Sequence, residues 1–499
     1  MNRQYKSGAI LSYFNIVLNM AISIFFIPFL ISSLGESEYG VYKIIQSFSG
    51  QLSIMSFGIA TLIVRNTVFF NAKKQKEEKE NFLFFALLAT YIFAAIIFVA
   101  GVIMYTAIDA MYENSMTAEE IGIAKILFIL LILNIAATII CDSYSGLIKA
   151  HEKFGVSYGI ETVKLFMRVF LMVSILTLGG KSILIVSADL AITLSAWVFI
   201  MLYGRFKLKE RAKFHKFDWQ LLKQCFVFSL AIFLQRIINQ VNQNLDNVIL
   251  GMMTNTAIVA MYSIALTIFT SFNSIVSTIG TLFTPKATQM IANNASGDEL
   301  TDFISRTGRW QFMIAGLIIT GFALFGKDFI LLWVGSKYIS VYYLSIILLI
   351  PAAIPLITSV SSSILDAMLK RLGASIILGV MCIVNIIVSV VFINFLGFWG
   401  AAIGTAVSFI IGHGILFNIY LHKVANISIF KMYKDILNRS FIGVIACFAI
   451  GIPITYIPYG ALWFVLKVIA YTAVYALVMY FFCMSKNEKS VVKSFIKIQ

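Results

Sequence analysis

The sequence predicts an all-α integral membrane protein of about fourteen transmembrane helices: two six-helix lobes in a parallel repeat, then two C-terminal helices. Three observations carry this. Of the 499 residues 60% are hydrophobic and only 12% charged, with a mean hydropathy of +0.92. Soluble domains carry roughly twice that charged fraction, so a globular fold would have too little polar chain to cover its surface. Apolar runs long enough to cross a bilayer recur along the whole chain. Finally, the order of runs and loops repeats once, at an offset of about 220 residues.

A bilayer core takes about 20 apolar residues per helix. On that basis spans fall near 8–32, 41–64, 82–108, 121–144, 155–178, 182–204, 221–250, 255–284, 308–334, 341–365, 373–396, 398–421, 440–458 and 461–484. The first is a retained span: its apolar stretch is too long for a signal peptide, and no small-residue cleavage site follows it.

Loop charge orients these spans. With the N-terminus in the cytoplasm, 29 of the 38 Lys and Arg fall on the cytoplasmic side, most densely in 65–79, 205–223 and 423–439. Loop 109–120 on the other side holds Asp109, Glu113, Glu119 and Glu120 and no base. Lys43, Lys125 and Lys467 are read as snorkelling from outer helix ends. Both termini are then cytoplasmic. The +15 net charge is spread over these loops, which calls for anionic membrane lipid as a partner and not for nucleic acid.

The repeat sets the domains. Gly40-Val41-Tyr42 lies over Ala260-Met261-Tyr262, Leu62 to Arg65 over Phe283 to Lys286, and Asn15, Asn19 and Ser23 over Gln235, Asn239 and Gln243. Six spans separate the equivalents, so the lobes share orientation. The expected organisation is a first lobe over 1–204, a basic cytoplasmic linker over 205–223, a second lobe over 221–421, and two further spans with a cytoplasmic tail over 422–499.

Charges inside the membrane cost at least ~2.5–3.5 kcal/mol and mark functional candidates. The fifth span carries Glu161, Lys164 and Arg168 at i, i+3 and i+7, one helical stripe, with Arg168 near mid-membrane. The seventh has Arg236 equally deep, followed by Asn239, Gln240, Gln243 and Asn247 on a polar face. Asp189 stands alone in the sixth. One acid on the fifth span cannot neutralise both its cations, and Arg236 has no acid on its stripe. Such an excess of deep cation, lined by amides, suits an anionic solute in a water-filled cavity, and arginine's fork fits phosphate in particular. The candidate substrate-binding residues are Lys164, Arg168, Arg236, Asn19, Asn239 and Gln243; Glu161 and Asp189 are candidates for ion coupling.

Other features carry less. The hydroxyls of the eighth span (Ser263 to Thr278) promote close helix packing, and Pro351 with Pro355 kinks the tenth. Cys141, Cys225, Cys382, Cys447 and Cys483 lie singly in apolar sequence with no metal-ligand spacing, and behave as small hydrophobes. Gly179-Gly180-Lys181-Ser182 lacks the earlier glycine of a phosphate-binding loop. There is no ATP-binding domain and no HExxH, so the residues point to neither an enzyme nor a cofactor.

Three features together carry a resemblance: fourteen spans as two lobes plus two, the deep cations, and the run Leu34-Gly35-Glu36-Ser37-Glu38-Tyr39-Gly40-Val41-Tyr42 directly after the first span. The chain resembles the polysaccharide-biosynthesis flippases of the multidrug/oligosaccharidyl-lipid/polysaccharide exporter superfamily, the O-antigen and capsule repeat-unit translocases. The resemblance implies a bacterial cytoplasmic-membrane protein that flips an undecaprenyl-diphosphate-linked oligosaccharide between leaflets, the two lobes rocking about a cationic cavity. It also implies a working monomer, with other polysaccharide-assembly proteins as candidate partners. Two readings lie nearby in the superfamily. Lipid II flippases usually place an arginine in the first span, and drug/cation antiporters an acid; this span has Asn15 and Asn19 instead. A membrane glycan polymerase or ligase would need long external loops bearing Arg or His, which are missing here, and a non-transporting scaffold would have no use for the buried cations.

Overall fold

The computed structural model describes residues 3–53, 59–113, 115–217, 245–368, 370–486 and 488–490, with Trp219 and Lys223. Among them every regular element is a helix, and ten helices are long and apolar enough to cross a membrane. Four more spans complete the fourteen. The first two meet within one helical stretch, α1 (Arg3–Ser53), and the expected second span also takes in the start of α2 (Ile59–Ala72). The fifth, α5 (Phe154–Thr177), is set apart from the ten by its three charges. The seventh lies mostly outside the described residues, only its end being described, as helix over 245–253.

The chain divides into two compact units, Met1–Ala260 and Met261–Gln499. The first contains α1, α2, α3 (Lys76–Tyr112), α4 (Ala118–Ala150), α5 and α6 (Ser182–Leu202). Helix α4 is its hub, packed against α1, α2, α3 and α6. No loop separates the first two spans. Gly35 alone, at φ 78° and ψ 167°, leaves the helical region and joins them, a conformation that only glycine adopts without strain.

Side-chain contacts sort the helix ends of this unit onto two sides. On one, Ser37 bonds to Glu120, Glu38 accepts from the N–H and hydroxyl of Ser182 at 2.8 and 2.5 Å, and Thr256 donates to Glu120 at 2.8 Å. On the other, Lys79 and His151 reach Glu210 at 2.7 and 2.9 Å, and His215 pairs with Glu80 at 3.0 Å. The joint at Gly35, the start of α4 and the start of α6 therefore share one face. The start of α3, the α4–α5 turn and the segment after α6 share the opposite one.

The second unit contains most of α7 (Thr256–Leu282), then α8 (Thr284–Ala292), α9 (Gly297–Trp333), α10 (Ser340–Ile357), α11 (Val360–Ala367) and α12 (Arg371–Leu396). It continues with α13 (Trp399–Phe409), which runs through a π-turn into α14 (Asn418–Ala425), then α15 (Ile429–Leu437), α16 (Ser440–Thr455) and α17 (Ala461–Val478). Helix α9 is the hub here, packed against α10, α15, α16 and α17. The tenth span breaks after Pro355, α10 ending at Ile357 and α11 resuming at Val360.

Helices α8, α9 and α15 differ from the expected spans, α8 being a short addition between the eighth and ninth. Helix α9 begins eleven residues before 308, because Ser296 and Glu299 close a capping box around its first turn. Helix α15 is an added element, burying Met432 and Ile436 while leaving Phe430 exposed. Two lysines also differ from their reading as snorkelling side chains. Lys467 is 2% exposed and pairs with Asp328 at 2.7 Å, because an interior carboxylate is a better partner than a distant headgroup. Lys43, eight residues past the Gly35 joint and so about 12 Å along its helix, stays half-buried beside Tyr39 and Tyr42, its Nζ 5.5 and 5.9 Å from their ring centroids. Lys125 pairs with Asp109. Of the five cysteines, Cys141, Cys382, Cys447 and Cys483 are buried and unbridged; Cys225 lies outside the described residues.

Candidate functional site

The polar centre of the first unit is built on α1, α5 and α6. On α5, Arg168 sits 14 residues from the helix start, about 21 Å along the axis. Its Nε donates to Asp189 Oδ1 of α6 at 2.6 Å, with 45% of its side chain exposed and 18% of the aspartate's. Asp189 is thus not a lone acid: a helix-to-helix partner, which no spacing within one span could reveal, holds it. Glu161, three and seven residues before the cations of its own stripe, forms an ion pair with neither. It takes Lys149 of α4 at 3.3 Å. Lys164, half-buried one turn below Arg168, makes no ion pair among the described residues.

Helix α1 supplies the rest. Tyr42 is buried within electrostatic reach of both Arg168 and Asp189. Next to it, Lys43 Nζ donates to Gln46 Oε1 at 3.2 Å, and Gln46 Nε2 donates to Tyr42 Oη at 3.5 Å. No described acid lies within ion-pair distance of Lys43. One turn on, Ser47 accepts from Asn247 Nδ2 at 3.2 Å, which anchors the end of the seventh span to α1. This centre holds the cations Lys43, Lys164 and Arg168, of which only Arg168 has an ion-pair partner among the described acids. Asn19 is exposed on α1 and is engaged in a polar interaction. Arg236, Asn239 and Gln243 lie outside the described residues.

The family model for "Polysaccharide biosynthesis protein" matches residues 6–290, more than half of the chain. The chain belongs to that family. Among curated proteins none matches its sequence significantly. Among solved structures it is similar to lipid II flippase MurJ in an inward closed conformation, with a TM-score of 0.74 at 16% identity over 94% of this chain and 97% of that one. It is also similar to an inward-facing multidrug resistance MATE transporter of the MOP superfamily, with a TM-score of 0.68 at 14% identity over 82% and 96%. At these identities the likeness is one of fold, and it places this multi-pass membrane protein on the fold those exporters share.

The sequence run after the first span is a structural joint. Gly35 turns the chain, Glu38 is buried and accepts the first N–H of α6, and Tyr39 and Tyr42 are buried. Gly40 meets the backbone of Thr256 so closely that a Cβ there would stand 2.1 Å from its carbonyl oxygen. Lys43 is the functional candidate that the sequence reading placed elsewhere. Its signal was available: it lies eight residues inside a span, at the same helical face as Tyr39.

Proposed function

We propose that this chain is a flippase, not an enzyme, that carries a polyprenyl-diphosphate-linked oligosaccharide repeat unit across the bacterial cytoplasmic membrane by alternating access. The single observation that carries the reading is that, of the cations Lys43, Lys164 and Arg168 within the spans of the first unit, only Arg168 has an ion-pair partner among the described acids. A cation held in a low-dielectric region without a counter-charge is costly, and a diphosphate supplies the missing negative charge. Lys43, Lys164 and Arg168 bind it, joined by Arg236 and by the amides Asn19, Asn239 and Gln243 on the sugar or phosphate. Arg168 is held by Asp189 until substrate arrives. When the guanidinium turns to the diphosphate, Asp189 loses its partner, which makes it the coupling candidate; Glu161, engaged with Lys149, is the second. The prenyl tail stays in lipid. The positive-inside rule places the His151 and Glu210 side of the first unit in the cytoplasm, with both termini.

Glycan export is to be measured in cells whose only copy is the variant, beside the amount of protein in the membrane. Arg168→Ala removes a charge-assisted contact of about 2 kcal/mol, a roughly thirtyfold loss of substrate binding, and export should collapse at normal protein levels. Arg168→Lys should retain part of it, because charge survives while the fork is lost. Well-expressed Ala variants at Arg168, Lys164 and Lys43 that export at the wild-type rate would end the proposal.

A further inference from the structure

The second unit holds a cavity of about 780 Å³ whose lining includes Lys286, Arg306, Arg309, Arg439 and the aromatic rings of Phe283 and Trp310. Its depth follows from α9. That helix has 37 residues, about 55 Å at 1.5 Å each, far more than the ~30 Å hydrocarbon core. Its sequence is free of charge from Trp310 to Gly326, and Trp310 and Trp333 stand 23 residues apart, about 34 Å. Tryptophans favour the two interfaces. The cavity therefore opens at headgroup level, beside α15, an amphipathic helix with Phe430 84% exposed.

The charges do not cancel. Arg309 is spent on structure: its Nε donates to Glu488 at 2.9 Å, and its other nitrogens donate to the carbonyls of Asp435, Asn438 and Cys483 at 3.1, 2.9 and 2.9 Å. Asp302 is taken by Lys431 at 2.8 Å. That leaves Lys286, Arg306 and Arg439, all exposed, against Asp435 alone. We infer that this cavity is a binding site for the phosphodiester headgroup of an anionic phospholipid of the adjoining leaflet. The cations take the phosphate, and the rings of Phe283 and Trp310 take the glycerol and first acyl carbons. A soluble phosphate would leave the rings uncovered. The chain's own last residues, 491–499, bring Lys493 and Lys497 and no acid, the wrong charge for this cavity. The inference is independent of the flippase reading, since none of these residues belongs to the transport centre.

The full chain in detergent is titrated with phosphatidylglycerol, with phosphatidylcholine of the same acyl chains, and with inorganic phosphate, reading the thermal midpoint. Phosphatidylglycerol alone should raise it saturably. In Arg306→Gln/Arg439→Gln the apparent affinity should fall roughly thirtyfold, with an unchanged midpoint in phosphatidylcholine, and Arg306→Lys/Arg439→Lys should keep most of the response. If the glutamine pair does not fold, Lys286→Gln/Arg306→Gln replaces it, with lipid retention counted by native mass spectrometry. Equal responses to phosphatidylcholine or to inorganic phosphate, or a wild-type response in the glutamine variants, would overturn the assignment.

Discussion

At the scale of single residues, buried charge in this chain is dealt with in two ways. Lys467 and Asp328 form a closed pair, and breaking it strands a charge. Lys467→Met should lower stability by about 3 kcal/mol, while Lys467→Met/Asp328→Asn should recover most of the loss; a thermal-unfolding double-mutant cycle measures both. The transport centre is different, because Lys43 and Lys164 have no described ion-pair partner, so their replacement by Gln or Met should leave the melting temperature unchanged or raise it. Helical spacing made Lys164 and Arg168 legible, since both lie on one stripe. It did not make the Arg168–Asp189 or Lys467–Asp328 pairs legible, because partners on different helices share no period. Lys43 was hidden by its nearness to an end: with no loop at Gly35, a residue that counts as terminal in sequence lies well inside the helix.

At the scale of elements, two joints carry testable weight. Glu38 caps α6 from another helix, supplying both an acceptor for its first N–H and a negative charge at its positive end. Glu38→Ala should cost about 1.5–3 kcal/mol. Gly40→Ala drives a Cβ into backbone, and should cost on the order of 3 kcal/mol or prevent accumulation. The second joint is the linker after α6. His151 places Nδ1 beside the carbonyl of Leu147 and Nε2 beside Glu210, both at 2.9 Å, so both ring nitrogens meet acceptors, an arrangement that favours the protonated ring. The Glu210 bond raises the His151 pKa above its ordinary value, against the opposing effect of burial. Burial pushes Glu210 up, yet its bonds to His151 and Lys79 win and leave its pKa below the ordinary carboxylate value. Because the folded-state pKa of His151 is raised, this anchorage is complete below the ordinary histidine value of about 6.5. It fades as pH rises through the raised value. A spin label at Ala212→Cys should thus gain mobility between neutral and alkaline pH, and His151→Gln should abolish the change. An identical mobility profile in both would refute the anchorage. Of these elements the long spans were legible from hydropathy. Helix α15 was not, because nine residues with three charges fall below any membrane-span criterion, although Ile429, Met432 and Ile436 have helical spacing.

At the scale of the whole molecule, topology follows from charge, and the loops that charge assigns to one compartment are those that contacts gather within the first unit. Single-cysteine labelling should reach Ala212→Cys from the cytoplasm and Ser115→Cys from outside; the reverse pattern would overturn the orientation. The proposed repeat of 1–204 over 221–421 predicts that the two halves superpose span for span. A repeat of this kind would be faint in sequence, because lipid-facing positions accept almost any apolar residue and only the order of spans and loops would preserve it. The joint at Gly35 has one more consequence, for how the protein is made. A single residue between two crossings leaves nothing for the translocation machinery to hold between them. The first two spans must therefore partition into the bilayer together as a hairpin, their direction set by Arg3 and Lys6 ahead of the pair and by Arg65, Lys73 and Lys74 behind it. A ribosome-arrested chain ending just after Gly35 would lack the returning arm and would not yet be committed to either orientation.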